Sequence, residues 1–289
     1  MPARTHPLRY GLKFSQQIHP IEVHVDVWRM ADEAGFDHVW PFDHLIALGN
    51  DPTAPIFDGW TVLGAMAAIT RRVRMGLNVT GNLYRHPGLM AKIAVTVDHL
   101  SNGRLEFGIG TGWNEPEFVQ FALPFPSAGD RVSMLDESLK AMKLLWKEPR
   151  ASFEGRFYQL KDAIAEPKPV QHPRPPIWIG SKGARMLRLT ARHADVWHSN
   201  AGSFEESVAL SKALDDDCRK AGREPGAVRR SISVRFTTPD ETLRSAEAAI
   251  DAGFTELLLM TGGAQAQTTD PRKRAGEAAA LLPRLRALG

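Results

Sequence analysis

The residues best suited to chemistry stand in short polar runs directly after apolar ones. Asp43-His44 follows VWPF and joins a carboxylate to an imidazole, a group that can hydrogen-bond a substrate or pass a proton near neutral pH. Asn78, Thr80, Gly81 and Asn82 follow RVRMGL, and Gly110-Thr111-Gly112-Trp113-Asn114 ends the run begun by LEFGI. Gly180-Ser181-Lys182-Gly183 follows PIWI and opens a helical stretch, where backbone N–H groups, a hydroxyl and a lysine suit a phosphate. His198-Ser199-Asn200 follows ADVW. Any one of these groups alone also makes an ordinary turn. Their recurrence behind five apolar runs points to one shared site.

Other chemistries find little support. His19 and His24 flank a helix start, and neither an H-E-x-x-H run nor a Cys/His cluster is present, so no metal site is expected. A G-x-S-x-G elbow and a Walker loop are both missing. LEFGIGTGW superficially matches the first motif of class I methyltransferases and comes close to a dinucleotide fingerprint. Trp113 stands where the third glycine of that fingerprint belongs, and both folds carry such a motif on their first strand, not after three βα units. A methyltransferase is therefore a distant alternative.

The elements that must position these residues alternate. Apolar strands are expected at Leu8–Phe14, His38–Phe42, Val73–Val79, Arg104–Gly108, Pro176–Ile179, Ala194–His198, Ser231–Phe236 and Glu256–Met260. Several are continuous apolar runs, as in strands covered by helices. Helices are expected between them. Ile21–Ala34 ends at Gly35, Ser203 with Glu206 caps a helix through Ala221, and Thr238-Pro239 with Glu241 opens one that ends near Gly253. His86-Pro87 reads as another helix start. ADEAGFDHVW and AIDAGFTELLL echo each other as two copies of one αβ joint. Eight such units favour a closed (β/α)8 TIM barrel, with an open doubly wound sheet as the alternative. In a barrel every polar run named above falls at the carboxyl end of its strand, where active sites lie. Residues 113–175 are long for one connection and are expected to form an insertion after strand four, over that end of the barrel.

Bulk properties agree. A chain of 289 residues, 43% hydrophobic and 24% charged, fits one globular domain over 1–289. A net charge of +3, scattered in short clusters, gives no basic surface for nucleic acid. The lone Cys218 excludes an internal disulfide framework. The N-terminal MPARTHPLRYGLKF has no apolar core of leader length, and no run approaches a membrane span, so a cytoplasmic protein is expected.

The stretches FDHVWPFDHL, RVRMGLNVTGNLYRHPGLMAKIAVTVDHLSNGRLEFGIGTGWNEPEF and PIWIGSKGARMLRLTARHADVWH resemble the bacterial luciferase-like family of flavin and deazaflavin oxidoreductases. The resemblance covers roughly residues 8 to 260 and is most specific between Arg72 and Phe118. It implies a (β/α)8 barrel holding coenzyme F420, with FMN and a monooxygenase reaction as the runner-up. It implies a strand-three bulge with a non-prolyl cis peptide at Asn78-Val79. Asp43, Asn78, Val79, Thr80, Gly110, Thr111, Gly112, Gly180, Ser181 and Gly183 would touch the cofactor, with His44 and Asp43 as the reactive pair. A homodimer is common in the family. Trp28 and Met30 could serve one, although burial in the outer core is the simpler use. The F420-dependent sugar-phosphate dehydrogenases carry a tryptophan where this chain has Leu48 and a glutamate where it has Trp113, which argues against a sugar-phosphate substrate; Glu115 is a weak substitute.

Overall fold

The computed structural model describes residues 6–262 and 270–289; residues 1–5, part of the N-terminal stretch read above, and 263–269 lie outside the described residues. In chain order, β1 (Arg9–Lys13) leads through α1 (Ile21–Ala34) to β2 (His38–Trp40), and α2 (Gly59–Ile69) leads to β3 (Arg74–Gly76) and the short β4 (Thr80–Gly81). Next come α3 (Pro87–Leu100), β5 (Leu105–Gly110), α4 (Glu115–Gln120) and α5 (Ala128–Lys147), then a hairpin of β6 (Ala151–Glu154) and β7 (Gln159–Ala163). β8 (Ile177–Ser181), α6 (Ala184–His193), β9 (Val196–Ser199), α7 (Phe204–Lys220), β10 (Arg229–Arg235), α8 (Pro239–Asp251), β11 (Glu256–Met260) and α9 (Pro271–Arg286) complete the chain.

The main sheet closes on itself. β1 pairs in parallel with both β2 and β11, the parallel ladder runs on through β10, β9, β8 and β5, and β3 joins β2 to β5. β3 and β4 are two halves of one strand, each paired to β5, so the barrel has eight strands. The expected strands are all present. The third is interrupted because residues 77–79 leave the ladder: Asn78 N–H turns to Pro41 O at 2.9 Å, and the Asn78-Val79 peptide is cis. The expected caps also hold. Gly35 adopts φ 84°, His86 accepts from Gly88 N–H, and Ser203 and Thr238 accept from Glu206 and Glu241 N–H.

The amino-terminal half of the barrel is solid. Trp40 and Trp178 pack with ring centroids 4.4 Å apart, and glycines admit them: a Cβ on Gly76 would stand 2.4 Å from Trp40. Trp40 donates to His38 Nδ1 at 2.7 Å, so His38 Nε2 carries the proton it gives Glu256 at 2.8 Å. Burial alone would raise the Glu106 carboxyl, but Arg74, Arg9 and Arg229 hold it at about 2. With this end plugged, the barrel opens at the carboxyl ends of its strands.

The segment after the fourth barrel strand corrects part of the expectation. α5 is the fourth barrel helix, packed between α3 and α6. The β6–β7 hairpin lies along its flank, pinned where Glu137 accepts N–H groups from Arg156, Phe157 and Tyr158 at 2.8–3.2 Å. Three backbone donors on one carboxylate hold the hairpin turn to the side of the barrel, not over its mouth. Only the beginning of the segment reaches the mouth. Trp28 is fully buried in the outer core. Among the described residues, no helix is long and apolar enough to cross a membrane.

Candidate active site

The open end of the barrel holds a cleft of about 760 Å³. Most of the residues singled out from the sequence border it: Asp43 and His44 after β2, Asn78, Val79, Thr80 and Gly81 at the broken third strand, Gly110, Thr111, Gly112 and Trp113 after β5, and Gly180, Ser181, Lys182 and Gly183 after β8, whereas Asn82 and Asn114 do not. Of the run after β9, only Asn200 does so. His198 is buried below, and Ser199 donates to Ser207 at 2.9 Å.

Asp43 and His44 are neighbours in sequence with separate partners. Asp43 is buried and accepts from Thr80 Oγ1 and from Arg85 Nη1 at 2.6 Å, while Arg85 also reaches Asp58 at 2.7 Å. Burial pushes the Asp43 carboxyl up against the pull of Arg85 and Thr80. Its geometry is that of a brace between β2 and β4.

His44 instead meets Glu117 on α4. Glu117 is fully buried and takes three donors: His44 Nδ1 at 2.9 Å, Leu45 N–H at 2.8 Å and the Tyr84 hydroxyl. Burial alone would raise this carboxyl, but those hydrogen bonds together hold it below its usual range. An ionised carboxylate only accepts, so Nδ1 of His44 carries a proton and Nε2 is left as the acceptor on the cleft side. Burial and Glu117 push the Tyr84 phenol up, so it stays a neutral donor. Tyr84 stacks on Phe118 with the rings nearly parallel and centroids 4.9 Å apart, which ties α4 to the segment after β4. Trp113 stands 66% exposed at the mouth with its ring 5.6 Å from that of His44.

The two glycine-rich turns give the cleft its bare walls. A Cβ on Gly110 would meet Val79 at 2.9 Å and one on Gly180 would meet Asn200 at 2.8 Å, so neither position holds a side chain without displacing the wall. Gly112 has φ 77°, which turns the chain from β5 into α4. Gly183 caps α6 with no side-chain acceptor, and a Cβ there would meet nothing within 4 Å. The α6 N-terminus thus lacks a side-chain cap and opens at the cleft wall, as an anion site requires. The Ser181 hydroxyl has a partner within the fold: Thr190 donates to Met186 O, so Ser181 donates to Thr190 at 3.2 Å.

Sequence reasoning missed Glu117, Tyr84, Arg85 and Lys13. The first three are assigned only by contacts across 33 to 73 residues. Lys13 ends β1, and the strand-end rule that selected the others would have found it. Among the described residues, no group of three or more His, Cys, Asp or Glu is placed to hold a metal ion.

Comparison with known proteins agrees with this geometry. The profile of the luciferase-like monooxygenase family matches residues 6–286. An F420-dependent glucose-6-phosphate dehydrogenase of Microbacterium testaceum is 38% identical over 238 residues, covering 81% of this chain and 69% of that protein. In fold, the chain matches an F420-dependent secondary alcohol dehydrogenase solved with an F420-acetone adduct, with TM-score 0.87, 18% identity, and coverage of 97% of this chain and 99% of that one. It also matches a monooxygenase from Streptomyces bottropensis, with TM-score 0.77, 21% identity and coverage of 96% and 99%.

Proposed function

Because the chain belongs to the luciferase-like monooxygenase family, we propose that it is an oxidoreductase that uses the deazaflavin coenzyme F420 to move a hydride to or from a small organic substrate. F420-dependent dehydrogenases recur among its relatives at 30% identity and above. The observation that carries the reading is the meeting of the broken third strand, two bare glycine turns and His44 in one cleft.

The residues fit a flat ring with an anionic tail. Asn78 Nδ2 is buried without a hydrogen-bond partner, at the strand break that walls the cleft. A side chain on Gly110 or Gly180 would run into Val79 or Asn200 at the end of the neighbouring strand. Asn78, Val79 and Thr80 would hold the ring, Gly110, Thr111 and Gly112 the region beside its tail, and the α6 N-terminus with Gly183 and Lys182 its phosphate. F420 would supply the hydride-carrying carbon.

The chain's own residues supply positioning and proton transfer. His44 Nε2 accepts a hydrogen bond from an alcohol hydroxyl and takes its proton as the carbinol hydrogen departs; in the reverse direction it returns that proton to the carbonyl oxygen. Glu117 fixes the tautomer that makes Nε2 the acceptor and stabilises the imidazolium once formed. Phe42 and Trp113 flank His44 edge-on, with ring centroids 5.2 and 5.6 Å away, and limit how its ring can turn.

Titration with F420 and FMN in parallel, followed by fluorescence, tests the reading. Micromolar or tighter F420 binding with weak FMN binding supports it. The reverse preference moves the chain to the FMN-dependent monooxygenases, and binding of neither removes the hydride-transfer reading.

A further inference from the structure

One charged group on the cleft wall has no part in the chemistry above. Lys13, the last residue of β1, borders the cleft. Its Nζ donates to Asn78 Oδ1 at 2.8 Å and to Ser233 Oγ at 3.4 Å. It forms no ion pair among the described residues. The remaining stretches, MPART and GAQAQTT, contain no acidic residue, so they provide no hidden carboxylate.

Its surroundings are poor in acceptors. Ser233 links it to His198 Nε2 at 3.4 Å, and His198 is fully buried; burial first, then the charge of Lys13, drives that imidazole toward its neutral form. Asn78 faces Lys13 with its oxygen, and its amide nitrogen is left buried with no partner. Burial pulls the Lys13 ammonium down to about 8, so it remains mostly protonated at neutral pH. An ammonium without a counter-ion beside an unpartnered amide donor is costly for folding alone. The pair is complementary to one kind of occupant, an electron-rich carbonyl or anion in the cleft.

We propose that Lys13 and Asn78 form the site for the carbonyl-bearing pyrimidine end of the deazaflavin ring, and that Lys13 favours its reduced, anionic state. The proposal rests on the F420 reading. A hydride brings two electrons and one proton to a neutral ring, leaving one added negative charge, which delocalises onto the carbonyl end unless a second proton follows. Lys13 neutralises that charge without a proton transfer, and Asn78 Nδ2 gives the carbonyl a donor. Both groups act on the balance between the two redox states of the cofactor, which distinguishes them from His44 on the substrate side.

The test is the ratio of dissociation constants for oxidised and reduced F420, with the midpoint potential of the bound cofactor as a second readout. Wild type binds the reduced form the more tightly of the two. Lys13→Met, which keeps an apolar stem and removes the charge, lowers this preference about tenfold and shifts the bound potential to more negative values. Lys13→Arg, which keeps the charge, retains most of the preference. An unchanged ratio in Lys13→Met, with F420 still bound, overturns the proposal while leaving the F420 reading intact. So does an unchanged ratio accompanied by a raised substrate KM, which assigns the cation to the substrate. Absence of F420 binding by wild type overturns both.

Discussion

Replacing Glu117 with Gln is the sharpest perturbation of the active site. The carboxylate is fully buried and takes His44 Nδ1 at 2.9 Å, Leu45 N–H at 2.8 Å and the Tyr84 hydroxyl. Gln has nearly the same shape, but one acceptor oxygen becomes an NH2, facing either Leu45 N–H or the His44 and Tyr84 donors that share the other oxygen. At least one charge-assisted hydrogen bond is lost, worth about 1.5–3 kcal/mol. If Gln turns its amide to His44, Nδ1 must accept, and the proton moves to Nε2, the wrong tautomer for taking a proton from an alcohol. The loss then falls on the transition state, and kcat/KM drops about 10- to 150-fold. The assay is F420 reduction by a competent alcohol, with the F420 dissociation constant measured alongside. The reasoning requires a fall in kcat/KM with cofactor affinity kept within about threefold. A Glu117→Gln enzyme within twofold of wild type, when His44→Ala is inactive, would falsify the role of Glu117 in setting the tautomer.

The remaining predictions address the cofactor walls, the mouth and pH. Gly183→Val leaves the melting temperature within about 2 °C, because nothing lies within 4 Å of its Cβ, yet weakens F420 binding about tenfold or more by occupying the α6 N-terminus; calorimetry and titration separate the two effects. Trp113→Ala raises KM about fivefold, with a smaller change in kcat, since the ring is 66% exposed at the mouth and contributes about 1 kcal/mol of contact; steady-state kinetics over a substrate series checks this. Lys13 makes folding pH-dependent. Its folded value of about 8 lies below the 10.5 of an unfolded lysine, so between these the unfolded chain binds the extra proton and stability rises with pH. Lys13→Met removes that slope and is more stable at pH 7 by the order of 1–3 kcal/mol; denaturant melts of both proteins at pH 7 and pH 10 test it. For Glu117 the slope has the same sign, in a more acidic window. Its depressed carboxyl stabilises the fold above the ordinary carboxylate range, and this is lost as pH falls through its folded value, so Glu117→Gln unfolds with less acid dependence than wild type.

Much of this architecture was legible in the sequence because strands and helices of a barrel are local patterns. ELLLM and PIWIG are continuous apolar runs, and the rule that barrel sites lie at strand carboxyl ends then selected Asp43, His44, Gly110 and Gly180 without any contact map. What stayed hidden was pairing. Nothing about Asp43-His44 shows that the two side chains part company, one to Arg85 and the other to Glu117. Glu115 was weighed as an acid near the mouth, but it is Glu117, two residues on, that meets His44. The hairpin of β6 and β7 was misplaced over the mouth because strand-like alternation carries no direction; three N–H bonds to Glu137 decide where it lies. The contact of the Ser181 hydroxyl with Thr190, nine residues on, was equally hidden.

If the cleft at the barrel mouth seats the cofactor, His44 faces the reacting carbon. A crystal structure of the complex with F420 tests it most directly. The expected complex has the ring against Asn78-Val79, its carbonyl end beside Lys13 and Asn78, its phosphate on the N–H groups of α6, and His44 Nε2 directed at the open face above the ring. A ring seated away from the third-strand break, or one whose reacting face is turned from His44, contradicts it.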